Sequence, residues 1–158
     1  VTEPHRYTVV VDTREQQPLT FNATDRCAGT VVRTLKTGDY TLEGYEDLLC
    51  IERKGCTAEF AANILEDRFE RELERMEAYR FPILLCQFTA DDVLRFPYGS
   101  GVPRQRWGSL RVKAPFLLKR LTEIGLRYRT KVFLAGARAR DLASSIFKRV
   151  VELCPPTT

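Results

Sequence analysis

The chain has 158 residues, 44% of them hydrophobic and 29% charged, with a formal net charge of +4. This suits one domain with its own core, and the mildly basic balance admits an anionic partner such as nucleic acid without requiring one. No apolar run is long enough to span a membrane or to serve as a signal peptide, and the five scattered cysteines form no CxxC pair, which argues against zinc sites and disulfide frameworks. These features predict an intracellular protein, in the cytoplasm (nucleoid) or nucleus and not secreted.

In chain order, YTVVVDTRE (7–15) reads as a strand whose continuous β-branched run predicts burial on both faces. TVVRTLKTGDY (30–40) alternates and predicts a half-exposed strand broken by Gly38. YEDLLCIERK (45–54) predicts a third strand, entered through a turn near Gly44, and short connections suggest an antiparallel meander of the three. Residues 57–80 place Phe60, Ile64, Phe69, Leu73 and Met76 at roughly helical spacing, with Thr57 as N-cap and a face dense in Glu and Arg.

FPILLCQF (81–88) predicts a buried strand and TADDVLRF (89–96) a short helix capped by Thr89. Residues 97–115, rich in Gly, Pro and basic side chains, predict a mobile loop. A helix (114–128), a strand (131–136) and a last helix (137–154) follow, the last carrying Leu142, Ile146, Val150 and Leu153 at helical spacing. The order predicts a single α/β domain, spanning residues 1–158, with a central mixed sheet flanked by helices.

The candidate chemistry begins where the third strand ends in Glu52-Arg53-Lys54. Residues two apart share a face of a strand, so Glu52 and Lys54 point one way and Arg53 the other. Asp39 lies one segment earlier, within reach of Glu52 by cross-strand pairing. Two carboxylates held together repel, and a hard divalent cation, Mg²⁺ or Mn²⁺, is the natural counter-ion, with Lys54 beside them to act on water or phosphate. The plain alternative is a strand leaving the core. Asp12 and Glu15 end the first strand, where sites gather in α/β sheets, although a turn and a solvated Arg14–Glu15 pair would look the same. The sole histidine, His5, precedes the first strand and offers no base for the chemistry.

VVVDTRE (9–15), TGDYTL (37–42), IERKG (51–55) and DRFERELERM (67–76) occur in this order. As an ordered set they resemble the nuclease domain of the XPF (xeroderma pigmentosum group F) family of structure-specific DNA endonucleases. That family's signature is GDx, a gap, then ERK, three residues and Asp. The resemblance covers a motif core of about residues 8–134. It implies a restriction-endonuclease-like core and a Mg²⁺- or Mn²⁺-dependent endonuclease acting on branched, flapped or junction DNA in repair or recombination. Asp39 and Glu52 would be metal ligands, joined by the Arg53 backbone carbonyl and by Asp12. Lys54 would be the catalytic lysine, Asp12 and Glu15 would complete the acidic cluster, and Arg14 would meet a phosphate or hold a carboxylate. The family's Asp position is Ala58 here, with Glu59 next to it. The family's helix-hairpin-helix modules and helicase domain have no counterpart, as expected of a stand-alone domain or an excised fragment.

In the charged helix segment, Arg68 is a DNA-contact candidate by that resemblance. Arg104, Arg106, Arg111 and Lys113 surround Trp107, the only tryptophan, a mixture suited to a DNA backbone and an exposed base or, alternatively, to a loop anchored by its indole. The resemblance also implies pairing through this domain as a homodimer or heterodimer. The rival expectation is a non-catalytic DNA-binding scaffold or a dimerisation partner of an active nuclease.

Overall fold

A computed structural model describes residues 3–157; Val1, Thr2 and Thr158, part of the expected 1–158 domain, lie outside the described residues. Six strands form one mixed sheet: β1 (Tyr7–Asp12), β2 (Cys27–Arg33), β3 (Tyr40–Leu42), β4 (Leu49–Lys54), β5 (Phe81–Cys86) and β6 (Lys131–Leu134). Their spatial order is β2-β1-β3-β4-β5-β6. Five α-helices accompany them: α1 (Thr57–Asn63), α2 (Asp67–Met76), α3 (Ala90–Leu94), α4 (Ala114–Arg127) and α5 (Ala139–Leu153). The α/β class and mixed sheet agree with the sequence pattern. Among the described residues no helix is long and apolar enough to cross a membrane.

The predicted meander is corrected. The segment at 30–40 is two different strands: β2 runs parallel to β1 at the sheet edge, and β3 runs antiparallel between β1 and β4. The turn that separates them contains Gly38 at φ +84°, where a Cβ would lie 2.6 Å from Cys50 Sγ and 3.1 Å from the Ile51 carbonyl oxygen. Only glycine fits both the left-handed backbone and that space. β2 stays outermost because its alternating side chains leave one face wet; Val32 is well exposed.

The predicted long helix at 57–80 is also corrected: it breaks between Asn63 and Asp67. Ile64 and Phe69 are five apart, so one continuous helix would turn them about 140° away from each other. Two short helices let Phe60 and Ile64, then Phe69, Leu73 and Met76, bury in the same cluster. The N-cap is Cys56, whose Sγ accepts from the Glu59 backbone N–H at 3.4 Å, while Thr57 is buried.

Two cores sandwich the sheet. On one face α5 packs Ala143, Phe147, Val150 and Val151 against Val9, Val11, Tyr40, Ile51 and Leu85. Leu142 and Ile146 support that core and Leu153 is exposed. On the other face Cys50, Leu84 and Cys86 meet residues of α1, α2, α3 and α4. Period-two alternation along β4 therefore assigns Glu52 and Lys54, like Cys50, to the α1–α2 side, and Ile51 and Arg53 to the other.

Candidate active site

β3 pairs antiparallel with β4 through Tyr40 and Ile51, which brings Asp39 opposite Glu52. Backbone bonds fix the pairing: Asp39 N–H donates to the Ile51 carbonyl at 2.8 Å, and Arg53 N–H donates to Asp39 Oδ2 at 2.8 Å. Asp39, Glu52, Glu15, Glu59, Arg14 and Arg53 line one open cavity of about 330 Å³, together with Gln16 and Gln17. Glu52 and Lys54 are nonetheless almost covered, at 6% and 4% exposure. A buried charged pair needs further partners to be tolerated. Lys54 Nζ donates to Glu52 Oε1 at 2.9 Å and to Asn63 Oδ1 at 2.7 Å, and it lies 4.8 Å from the Phe69 ring centroid.

The carboxylates of this site repel. Burial first, and then the nearby Asp39 charge, push the Glu52 carboxyl well above its ordinary range, outweighing the pull of Lys54. Burial likewise pushes Asp39 up to about 6, opposed by the Arg53 N–H and reinforced by Glu15 and Glu72. Glu72 on α2 adds its charge to both. Lys54 moves up: burial, the largest single influence, disfavours its charge, but Glu52, Glu59 and Glu72 together outweigh it, so the ammonium stays protonated. The site therefore presents clustered carboxylate oxygens, Lys54 buried behind them and Arg14 and Arg53 at the cavity wall.

Glu15 and Arg53 form a brace across the cavity. Arg53 Nε and Nη2 donate to the two Glu15 carboxylate oxygens at 3.1 and 2.6 Å, Nη2 also reaches the Gln17 carbonyl at 2.9 Å, and Nη1 donates to Gln87 Oε1. With four of its five N–H donors engaged, the guanidinium ties the loop after β1 to the ends of β4 and β5. Asp12 is turned elsewhere: its carboxylate accepts from Arg14 Nε at 2.7 Å, the Arg14 N–H at 3.1 Å and the Leu35 N–H at 2.8 Å. Burial alone would raise the Asp12 carboxyl, but these bonds outweigh it and hold it below its ordinary range. Asp12 does not line the cavity; its partner Arg14 does, with 67% of the side chain exposed. Glu59 does line it and accepts the Gly55 N–H at 2.7 Å, so it reaches back over the loop that follows Lys54.

Among the predicted DNA contacts, Arg68 is exposed and pairs with Glu66 at 3.4 Å. Arg104, Arg106, Arg111 and Lys113 are exposed, and none forms an ion pair among the described residues. Trp107 is half-buried: its indole N–H donates to the Val102 carbonyl at 2.9 Å, Tyr98 meets it edge-on and Arg104 lies over it. The segment expected to be a mobile loop is thus pinned by its tryptophan and contains a 3-10 turn at Arg104–Ser109.

Asn63 and Gln87 contribute to this geometry without being singled out from the sequence, while Glu72 contributes as one residue of the charged segment at 67–76 that carries the resemblance. Asn63 carries a readable signal: a lone amide on an otherwise apolar helix flank, just before the five-residue step that ends the helix. Glu72 was hidden among the charges of its helix. Gln87 touches Arg53 only through the parallel pairing of β4 with β5, a long-range register that no local pattern encodes.

A mixed sheet covered by helices on both faces, with an acidic cavity where β3 and β4 meet, defines a restriction-endonuclease-like α/β domain. The family model of the ERCC4 domain matches residues 11–147, and the chain belongs to that family, a DNA endonuclease and repair family. The structure is similar to XPF from Aeropyrum pernix, with a TM-score of 0.61 and 17% identity over 95% of this chain and 62% of that one. It is similar also to XPF from Aeropyrum pernix in complex with DNA, with a TM-score of 0.61 and 18% identity over 97% of this chain and 68% of that one. At this identity the likeness is one of fold, and the chain spans about 62% of the first relative's length. No curated protein matches.

Proposed function

We propose that the domain is a metal-dependent DNA endonuclease that hydrolyses phosphodiester bonds in branched, flapped or junction DNA. The observation that carries this reading is that Asp39 and Glu52 line one open polar cavity, with Lys54 buried behind Glu52 and paired to it, and that burial and mutual repulsion raise both carboxyls. Such strain is relieved by a cation. Among the described residues no three His, Cys, Asp or Glu side chains gather into a ready-made metal cage. The donor set fits a small hard ion instead: Mg²⁺ and Mn²⁺ take one or two carboxylates and complete their shell with water and substrate phosphate. Asp39 and Glu52 would hold it, with the Arg53 carbonyl as a further oxygen. A bound ion of this kind supplies charge neutralisation at phosphorus and a more acidic water.

The remaining work falls to the chain's own groups. Protonated Lys54, fixed by Glu52 and Asn63, offers its ammonium to a phosphate oxygen as negative charge grows in the transition state. Its raised pKa suits this electrostatic role better than proton removal from water. Arg14, exposed at the cavity rim, meets the flanking phosphate, while Asp12 positions Arg14 and Glu15 positions Arg53. Arg68 and the basic segment around Trp107 extend the DNA contact. Pairing with a second copy or a related chain rests on the edge strand β6 and on exposed Leu126, Leu134 and Leu153. A panel of labelled flaps, junctions, duplexes and single strands, incubated with Mn²⁺ or with a chelator, tests the reading. Nicking of branched substrates only with metal is expected, and binding without nicking under any metal would favour the scaffold reading.

A further inference from the structure

A second cavity, about 620 Å³, opens on the far side of the first turn of α1. Its helix wall is made of Ala58, Ala61 and Ala62, small side chains that leave a smooth apolar surface, and its opposite wall comes from Val102 and Leu110 of the pinned loop. Ala58 lines this groove while its neighbour Glu59 lines the acidic cavity, so the start of α1 borders both openings. No carboxylate lines the groove. Arg106 and Arg111 do, and neither has a counter-charge among the described residues.

An apolar slot with unpaired guanidinium groups at its rim matches a flat, weakly polar body carried on an anionic backbone. A nucleobase with its flanking phosphates has that chemistry; a base paired within a duplex does not present its face to such a slot. We propose that the groove takes an unstacked base of a single-stranded DNA segment, with Arg106 and Arg111 on the adjacent phosphates. This rests on the reading of DNA as the substrate and extends it: the groove would hold the single-stranded side of a junction next to the scissile bond, giving the domain a means of telling a branch from continuous duplex.

Binding of a fluorescent oligothymidine and of a duplex of equal length, measured in chelator so that no cleavage occurs, tests the proposal. Ala62 is exposed, so Ala62→Trp fills the slot without disturbing the core. It is expected to weaken single-strand binding about tenfold and duplex binding less than about twofold. Arg106→Ala with Arg111→Ala is expected to flatten the slope of log affinity against log salt for single-strand binding by about 1.4. Unchanged single-strand affinity in Ala62→Trp, equal loss for both DNAs, or a wild type that nicks junctions but binds no single strand would overturn it. So would a change of oligomeric state in Ala62→Trp by light scattering, which would make a second copy the occupant. Selective loss of single-strand binding in a protein that nicks nothing would uphold the groove while removing the nuclease reading.

Discussion

Asn63 Oδ1 accepts a hydrogen bond from Lys54 Nζ at 2.7 Å, so the last residue of α1 fixes the lysine that ends β4. The ammonium has three hydrogens; Glu52 and Asn63 take two and leave one for substrate. Removing Asn63 frees the lysine to swing towards its carboxylate partner. Asn63→Ala is expected to lower nicking turnover by at least about tenfold, with DNA affinity changed less than about twofold. Single-turnover kinetics and fluorescence anisotropy separate the two quantities. Reduced thermal stability with unchanged turnover would reduce Asn63 to a packing residue.

Asp39 links stability to pH in an unusual direction. Its carboxyl is raised from 3.8 to about 6 in the folded chain, so folding takes up a proton between these values. The wild type is relatively favoured at low pH and loses stability as pH rises through that window. Asp39→Asn does not titrate there, and its amide oxygen still accepts the Arg53 N–H. Without metal, the variant is expected to be more stable than the wild type at pH 7.5, by on the order of 2 kcal/mol, with the difference vanishing below about pH 4. Chemical denaturation across pH measures this. A variant less stable than the wild type at pH 7.5 would contradict the cost of burying the Asp39 charge beside other carboxylates.

Gly38 is the one glycine that both the turn and the site require. Gly38→Ala places a Cβ against Cys50 Sγ and the Ile51 carbonyl in a left-handed backbone. A loss of at least about 2 kcal/mol in denaturant unfolding is expected. Gly44, also at positive φ but with open space around it, is expected to lose less on the same substitution. Equal losses would mean that backbone strain alone, not the close approach to β4, sets the cost.

The sequence made the core of the site legible because strand periodicity is local. The two-residue spacing of Glu52 and Lys54 put them on one face, and Gly38-Asp39 marked the turn opposite. The sheet order was not legible. β2 pairs with β1 in parallel through a long connection, and alternation alone does not tell a parallel edge strand from an antiparallel neighbour. Asp12 illustrates another limit. Its position at a strand end resembles that of a ligand, yet four hydrogen bonds turn its carboxylate towards Arg14 and Leu35, a choice made by a loop more than twenty residues away. Glu15 is similar: its partner Arg53 lies 38 residues on. The break in the helix after Asn63 was readable in principle, since the step from Ile64 to Phe69 does not fit one helical face.

On the proposed function, Asp39 and Glu52 hold the ion that would make this cavity a nuclease. This is tested most directly by comparing wild type, Asp39→Asn and Glu52→Gln on one labelled branched DNA, with Mn²⁺ and with chelator. The account predicts nicking by the wild type only with Mn²⁺, and loss of at least about a thousandfold in both variants while DNA binding persists. Nicking by either variant at the wild-type rate would contradict it.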